Sequence, residues 1–130
     1  MDTELALKPL VPGECRGRVL ILDQYLSFFG EVDPETGCIR GSNICFPGRV
    51  LVFRGSRGST VGPYIIYALK KNDKAPVCMI VEEAEPLLVA GCVLAGIPLY
   101  ISTTRIIDKL ENDTYIVVNC NGGLCRVEAK

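Results

Sequence analysis

Apolar positions in this chain fall in short runs separated by turn residues, and the period and length of each run decide what it can become. Leu5 to Leu10 reads as an extended segment that Val11-Pro12-Gly13 ends. Arg18-Val19-Leu20-Ile21-Leu22 is an apolar run that reads as a buried strand, and Arg49-Val50-Leu51-Val52-Phe53 reads as a β-branched, aromatic-ended strand. The apolar spacing of Pro63 to Lys71, with proline in the first turn and two lysines in the last, predicts a helix. Ala75 to Val81 predicts a strand, Glu85-Pro86 opens a helix to about Ala95 that Gly96 ends, and Ile97 to Ile101 predicts another strand. Thr103 and Thr104 read as caps of a short helix reaching Glu111, and a hairpin of Tyr115 to Val118 with Leu124 to Glu128 closes the chain. The strand and helix rhythm predicts an α/β fold. No linker or low-complexity stretch interrupts it, so residues 1–130 are expected to form a single domain.

Composition narrows the function. The chain has 130 residues, 48% hydrophobic and 22% charged, a length at which roughly two thirds of the unfolded surface is buried on folding. Its 14 basic and 15 acidic side chains give no electrostatic footprint for nucleic acid. No apolar run approaches bilayer length and the first residues, Met1-Asp2-Thr3-Glu4, are acidic where a signal peptide would be basic, so no membrane is expected as a partner and a cytoplasmic chain is. The absence of histidine removes the usual general base, the usual activator of serine and the commonest metal ligand together.

Seven cysteines, Cys15, Cys38, Cys45, Cys78, Cys92, Cys120 and Cys125, are scattered with no C-x-x-C pair, so the chain by itself offers no ligand spacing for zinc or an iron–sulfur cluster. Most, including Cys78 and Cys92, lie in apolar surroundings and are expected to be reduced thiols that act as small core hydrophobes. Cys120 and Cys125 flank Asn121-Gly122-Gly123-Leu124; a two-residue turn at Gly122-Gly123 would face them across a hairpin and permit a disulfide.

The segment Arg54-Gly55-Ser56-Arg57-Gly58-Ser59-Thr60-Val61-Gly62 lies between a predicted strand and a predicted helix. Unpaired first-turn N–H groups, the positive end of the helix dipole, glycines that admit a ligand to the backbone and the charges of Arg54 and Arg57 together suit a carboxylate or phosphate. The loop has neither the lysine of a phosphate-binding Walker loop nor the spacing of a dinucleotide fingerprint. Upstream, Ser27-Phe28-Phe29-Gly30 precedes the turn Asp33-Pro34-Glu35-Thr36-Gly37; the two phenylalanines either cover something at the surface or plug the end of the core. The acidic residues Glu82, Glu83 and Glu85 either hold a catalytic carboxylate or, the favoured reading, are the acid excess that a helix N-terminus attracts.

Taken together, the motifs resemble the small subunits of archaeal phosphomevalonate dehydratase, the swivel-domain half of the aconitase X group. The resemblance rests on Leu10 to Gly17, on Ser27 to Gly30 with Val32 to Gly37, on Gly48 to Phe53, on Gly55 to Gly62, and on Ala75-Pro76 and Gly96-Ile97-Pro98. The chain departs from the family in a shorter, histidine-free segment from Cys38 to Pro47. The resemblance implies a single swivelling β/β/α domain of the aconitase C-terminal type, paired with a large subunit that brings a [4Fe–4S] cluster, and dehydration of 5-phosphomevalonate to anhydromevalonate 5-phosphate in isoprenoid biosynthesis. The cluster's open iron would serve as Lewis acid for the leaving hydroxide. By motif the base falls on Ser59, with Arg57, Gly58, Thr60 and Arg54 around the substrate. Alternatives are a hydroxyproline-type aconitase X and a non-catalytic small-anion module. The Thr60-Val61-Gly62-Pro63 that follows Ser59 argues against isopropylmalate isomerase, and a phosphohistidine swivel domain is excluded because there is no histidine.

Overall fold

The computed structural model describes residues 5–58 and 60–130. Its principal strands are β1 (Leu5–Val11), β2 (Arg16–Leu26), β5 (Arg49–Ser56), β6 (Cys78–Val81), β7 (Leu99–Ser102), β8 (Tyr115–Asn121) and β9 (Leu124–Ala129). A short helix α1 (Phe28–Glu31) and a small hairpin of β3 (Val32–Asp33) and β4 (Cys38–Ile39) lie between β2 and β5, while α2 (Gly62–Lys71) and α3 (Pro86–Ala95) make the crossovers from β5 to β6 and from β6 to β7. Strands β2, β5, β6 and β7 run parallel in adjacent pairs. The antiparallel partners β1, β8 and β9 complete the order β1-β7-β6-β5-β2-β8-β9, and pairing of β1 with β9 closes it into a barrel.

Closure explains the unbroken apolar runs. Along β5, Val50 and Val52 point into the barrel with Leu5, Leu7, Val19, Ile80 and Tyr100, whereas Leu51 and Phe53 point outward and pack under Ile66 and Leu69 of α2 and Leu88 and Cys92 of α3. Each central strand is covered on both faces and cannot alternate with polar residues. The two helices touch closely at Gly91, where a Cβ would stand 2.8 Å from Ile66 Cδ1 and 3.1 Å from Pro63 Cα.

Two expectations change in three dimensions. The predicted helix from Thr103 to Glu111 contracts to a 3-10 turn at Ile106–Asp108. The Ser102 hydroxyl donates to the Thr104 carbonyl and accepts from the Thr104 N–H, holding the entry in a turn, while Ile106, Ile107 and Leu110 are drawn into the barrel interior. The expectation that most cysteines are reduced thiols is also corrected. Cys15 pairs with Cys78, Cys38 with Cys45 and Cys120 with Cys125, leaving Cys92 as the free thiol, buried. Burial of Cys78 was legible in its apolar neighbours, but its pairing with Cys15 was not, because residues 63 apart in sequence meet only through the fold. The Cys120–Cys125 bond spans the foreseen hairpin, whose strands pair at that position across Gly122-Gly123. Finally, the shortened segment after the Thr36-Gly37 turn is a loop closed by Cys38–Cys45 and anchored by the fully buried Phe46, whose N–H donates to the Gly37 carbonyl.

Candidate functional site

The carboxyl ends of the parallel strands are where an α/β sheet leaves room for a ligand. There the loop after β5 meets the N-termini of α2 and α3 in a cleft lined by Phe28, Phe29, Ser56, Arg57, Gly58, Pro63 and Glu85 among others. Pro63 sits in the first turn of α2, so the fixed φ of the ring helps begin the helix where the loop ends. Val61 precedes α2 and provides no side-chain cap. By contrast, the N-terminus of α3 is occupied, because the Glu85 carboxylate accepts from the N–H groups of Leu87 (3.0 Å) and Leu88 (2.9 Å).

The loop is held on its β2 side by the Arg57 N–H, which donates to the Leu26 carbonyl at 3.1 Å. Gly58 has φ +97, in the region that favours glycine, and the Cβ of any other residue would lie 3.4 Å from Ser27 Oγ. Ser27 itself caps α1, accepting from the Gly30 N–H, while its own N–H donates to Glu31 Oε1 at 2.8 Å. The same Glu31 oxygen lies 3.7 Å from Arg57 Nη2, a long ion pair on an arginine side chain 66% exposed. At that distance and exposure the pair is weak, so the guanidinium is free to turn to another anion.

The phenylalanines divide the two roles foreseen for them. Phe28 is buried and meets Phe53 edge to face at 6.1 Å between ring centroids, whereas Phe29 is 55% exposed at the cleft. Of the other residues singled out in the sequence, Arg57 and Gly58 line the cleft, and Thr60 is exposed just beyond it. Ser59 lies outside the described residues. Arg54 is in a different place. Its Nε donates to Asp23 Oδ1 at 2.6 Å, in a charged group at the barrel end with Arg105 and Asp108. The hydrogen bond from Arg105 holds the Asp108 carboxyl below its ordinary value. The triplet of glutamates also divides. Glu85 caps α3, Glu83 accepts from the Tyr25 hydroxyl, and Glu82 keeps one buried oxygen without a hydrogen-bond partner.

Sequence reasoning missed Glu31 and Ser56. Ser56 donates to Glu85 Oε1 at 2.6 Å, joining the last residue of β5 to the start of α3. A glutamate directly before a proline-opened helix was the available signal for Glu85 as a cap, but its second partner depends on the fold. Among the described residues, no three His, Cys, Asp or Glu side chains gather so as to hold a metal ion, and six of the seven cysteines are committed to disulfides. The donor set of the described residues therefore does not fit an iron–sulfur cluster.

Comparison with known proteins accords with this architecture. The family model described as the aconitase X swivel domain matches residues 4–127. The phosphomevalonate dehydratase small subunit of Aeropyrum pernix is 57% identical over 120 residues, covering 92% of this chain and 89% of that one. That of Pyrococcus horikoshii is 44% identical over 121 residues, covering 88% and 87%. Among solved structures, the aconitase X of Thermococcus kodakaraensis in its holo-form superposes with a TM-score of 0.85 at 37% identity, covering 96% of this chain and 98% of that one. Matched along nearly its whole length in sequence and in fold, the chain belongs to the aconitase X swivel-domain family.

Proposed function

We propose that this chain is the small subunit of a phosphomevalonate dehydratase, a hydro-lyase component of the mevalonate route to isoprenoids that works with a large subunit. Ser59 is the base, and Arg57 and the N-terminus of α2 stabilise the negative charge that proton removal creates. The observation that carries the reading is the convergence of Arg57, Gly58 and the start of α2 on one cleft, in a chain 57% identical to a small subunit of that name. The large subunit holds the [4Fe–4S] cluster and, when it is bound, supplies a Lewis acid for the leaving hydroxide.

This chain's part is the proton. Removing a hydrogen from the carbon beside the substrate carboxylate moves charge onto that carboxylate, while the hydroxyl on the next carbon leaves and a double bond forms between the two. An unassisted serine is too weakly acidic to be the base, so its alkoxide needs positive surroundings. Arg57 is the nearest charge in the loop sequence, and its weak hold on Glu31 lets it turn to the alkoxide or to the substrate. Thr60 adds a hydroxyl next to the base in sequence, and Arg54 acts at longer range from its pair with Asp23. The chain works in the cytoplasm. Its disulfides accord with that in one class of organism, since intracellular proteins of hyperthermophilic archaea are rich in them.

The test is made on the complex co-purified with its large subunit and assayed on 5-phosphomevalonate. Ser59→Ala should lower turnover about 100- to 10,000-fold with assembly intact, the usual cost of a lost acid–base group. Arg57→Ala should also impair turnover, and Arg57→Lys should restore it only in part if the planar fork matters. A Ser59→Ala complex that turns over normally moves the base elsewhere.

A further inference from the structure

We propose that Glu85 is a positioning residue, which fastens the loop carrying Arg57 and Ser59 to the start of α3 through the hydroxyl of Ser56. The proposal rests on the dehydratase reading with Ser59 as base. The Glu85 carboxylate takes three donors: the N–H of Leu87 on one oxygen, and the N–H of Leu88 together with the Ser56 hydroxyl, at 2.6 Å, on the other. Helix caps are ordinarily Ser, Thr, Asp or Asn, whose short side chains already reach their own first turn. Glutamate is not needed for that task alone. Its longer side chain caps α3 and still meets Ser56 across the cleft.

Ser56 ends β5, three residues before Ser59. On one side the loop is pinned to β2, where Ser56 pairs with Leu26 and the Arg57 N–H donates to the Leu26 carbonyl. On the other side the bond to Glu85 ties it to α3. Ser56 and Glu85 are both half-buried, and a hydrogen bond to a charged acceptor sheltered from water is stronger and more directional than one between neutral groups. With its lone pairs engaged by three donors, the Glu85 carboxylate is placed to hold the loop rather than to take a proton from substrate.

Cap and tether can be separated. Ser56→Ala removes the tether and leaves the cap, while Glu85→Asp keeps the charge and a good cap but is too short for Ser56. In the complex with the large subunit, each should lower kcat for 5-phosphomevalonate about 10- to 100-fold with KM nearly unchanged, since displacement of a reacting group by about 1 Å has costs of that order. The double variant should be no worse than either single one, because both remove one bond. Ser56→Thr should restore most of the rate. Amide hydrogen exchange of the loop in the same complexes should quicken in both single variants while the melting temperature stays close to that of the parent. Normal kcat and unchanged loop exchange in Ser56→Ala overturn the tether, as do losses that add in the double variant. Ser59→Ala, assayed alongside, separates the two readings: if it alone is inactive the base stands and the tether falls, and if it is active the base assignment falls whatever the loop exchange shows.

Discussion

At the scale of the residue, Cys92 stands apart from the six paired cysteines. It has no exposed surface, lies 3.8 Å from the sulfur of Met79, and burial pushes its thiol from an ordinary 9.0 up to about 12. Because the folded pKa is raised, the neutral thiol favours the native state fully below pH 9.0, and that contribution is lost as pH rises from 9.0 towards about 12. Urea unfolding should therefore weaken by roughly 2 kcal/mol more in the parent than in Cys92→Ala between about pH 8 and about pH 10.5. Equal losses in the two proteins would mean that the thiol is not held in an apolar site. A thiol count checks the same chemistry: none reactive in the native chain, one after unfolding without reductant, and seven after reduction.

At the scale of the element, α2 and α3 set the geometry of the cleft, because their N-termini form one wall of it. The sequence of α3, Pro-Leu-Leu-Val-Ala-Gly-Cys-Val-Leu-Ala, carries no charged residue, so it owes its place to packing rather than to amphipathic contrast. Gly91 lets it approach α2. In an open helix, Gly→Ala gains about 1 kcal/mol of helix propensity. Here the added carbon would meet Ile66 Cδ1 at 2.8 Å and the Pro63 backbone at 3.1 Å, and overpacking of this kind costs about 1–3 kcal/mol. Gly91→Ala should thus be neutral or destabilising by up to about 2 kcal/mol in denaturant melts. A clear stabilisation would show that the helices have room to spare.

At the scale of the whole molecule, the barrel is stapled by three disulfides and carries an open cleft where the loop after β5 meets α2 and α3. In the chain-entropy account, the Cys15–Cys78 bond closes a loop with a sequence separation of 63 and contributes about 4 kcal/mol, the largest share of the three disulfides. Both sulfurs belong to buried residues, so reductant should reach them only when the chain opens. The exposed ring of Phe29 and the exposed guanidinium of Arg57 both line the cleft, a combination expected of a surface that a large subunit covers. Hydrogen exchange should therefore slow in residues 27–37 and 54–62 on assembly. If neither segment gains protection, the partner binds elsewhere.

The sequence by itself determined the order of the principal strands and of the two crossover helices, the hairpin at Gly122-Gly123, the glycine loop and the family resemblance. All of these depend on local periodicity, on turn residues and on contiguous motifs, which are written in neighbouring positions. Even the Glu85 cap was half legible, since a helix that opens with proline calls for an acceptor just before it. Only the tertiary structure decided that the sheet closes into a barrel, that Cys15 meets Cys78, that Phe28 is core while Phe29 faces solvent, and that Arg54 turns to Asp23 rather than to the cleft with Arg57. Each of those outcomes depends on groups distant in sequence competing for one place. Strand register and barrel closure, which no local pattern encodes, select which group occupies it.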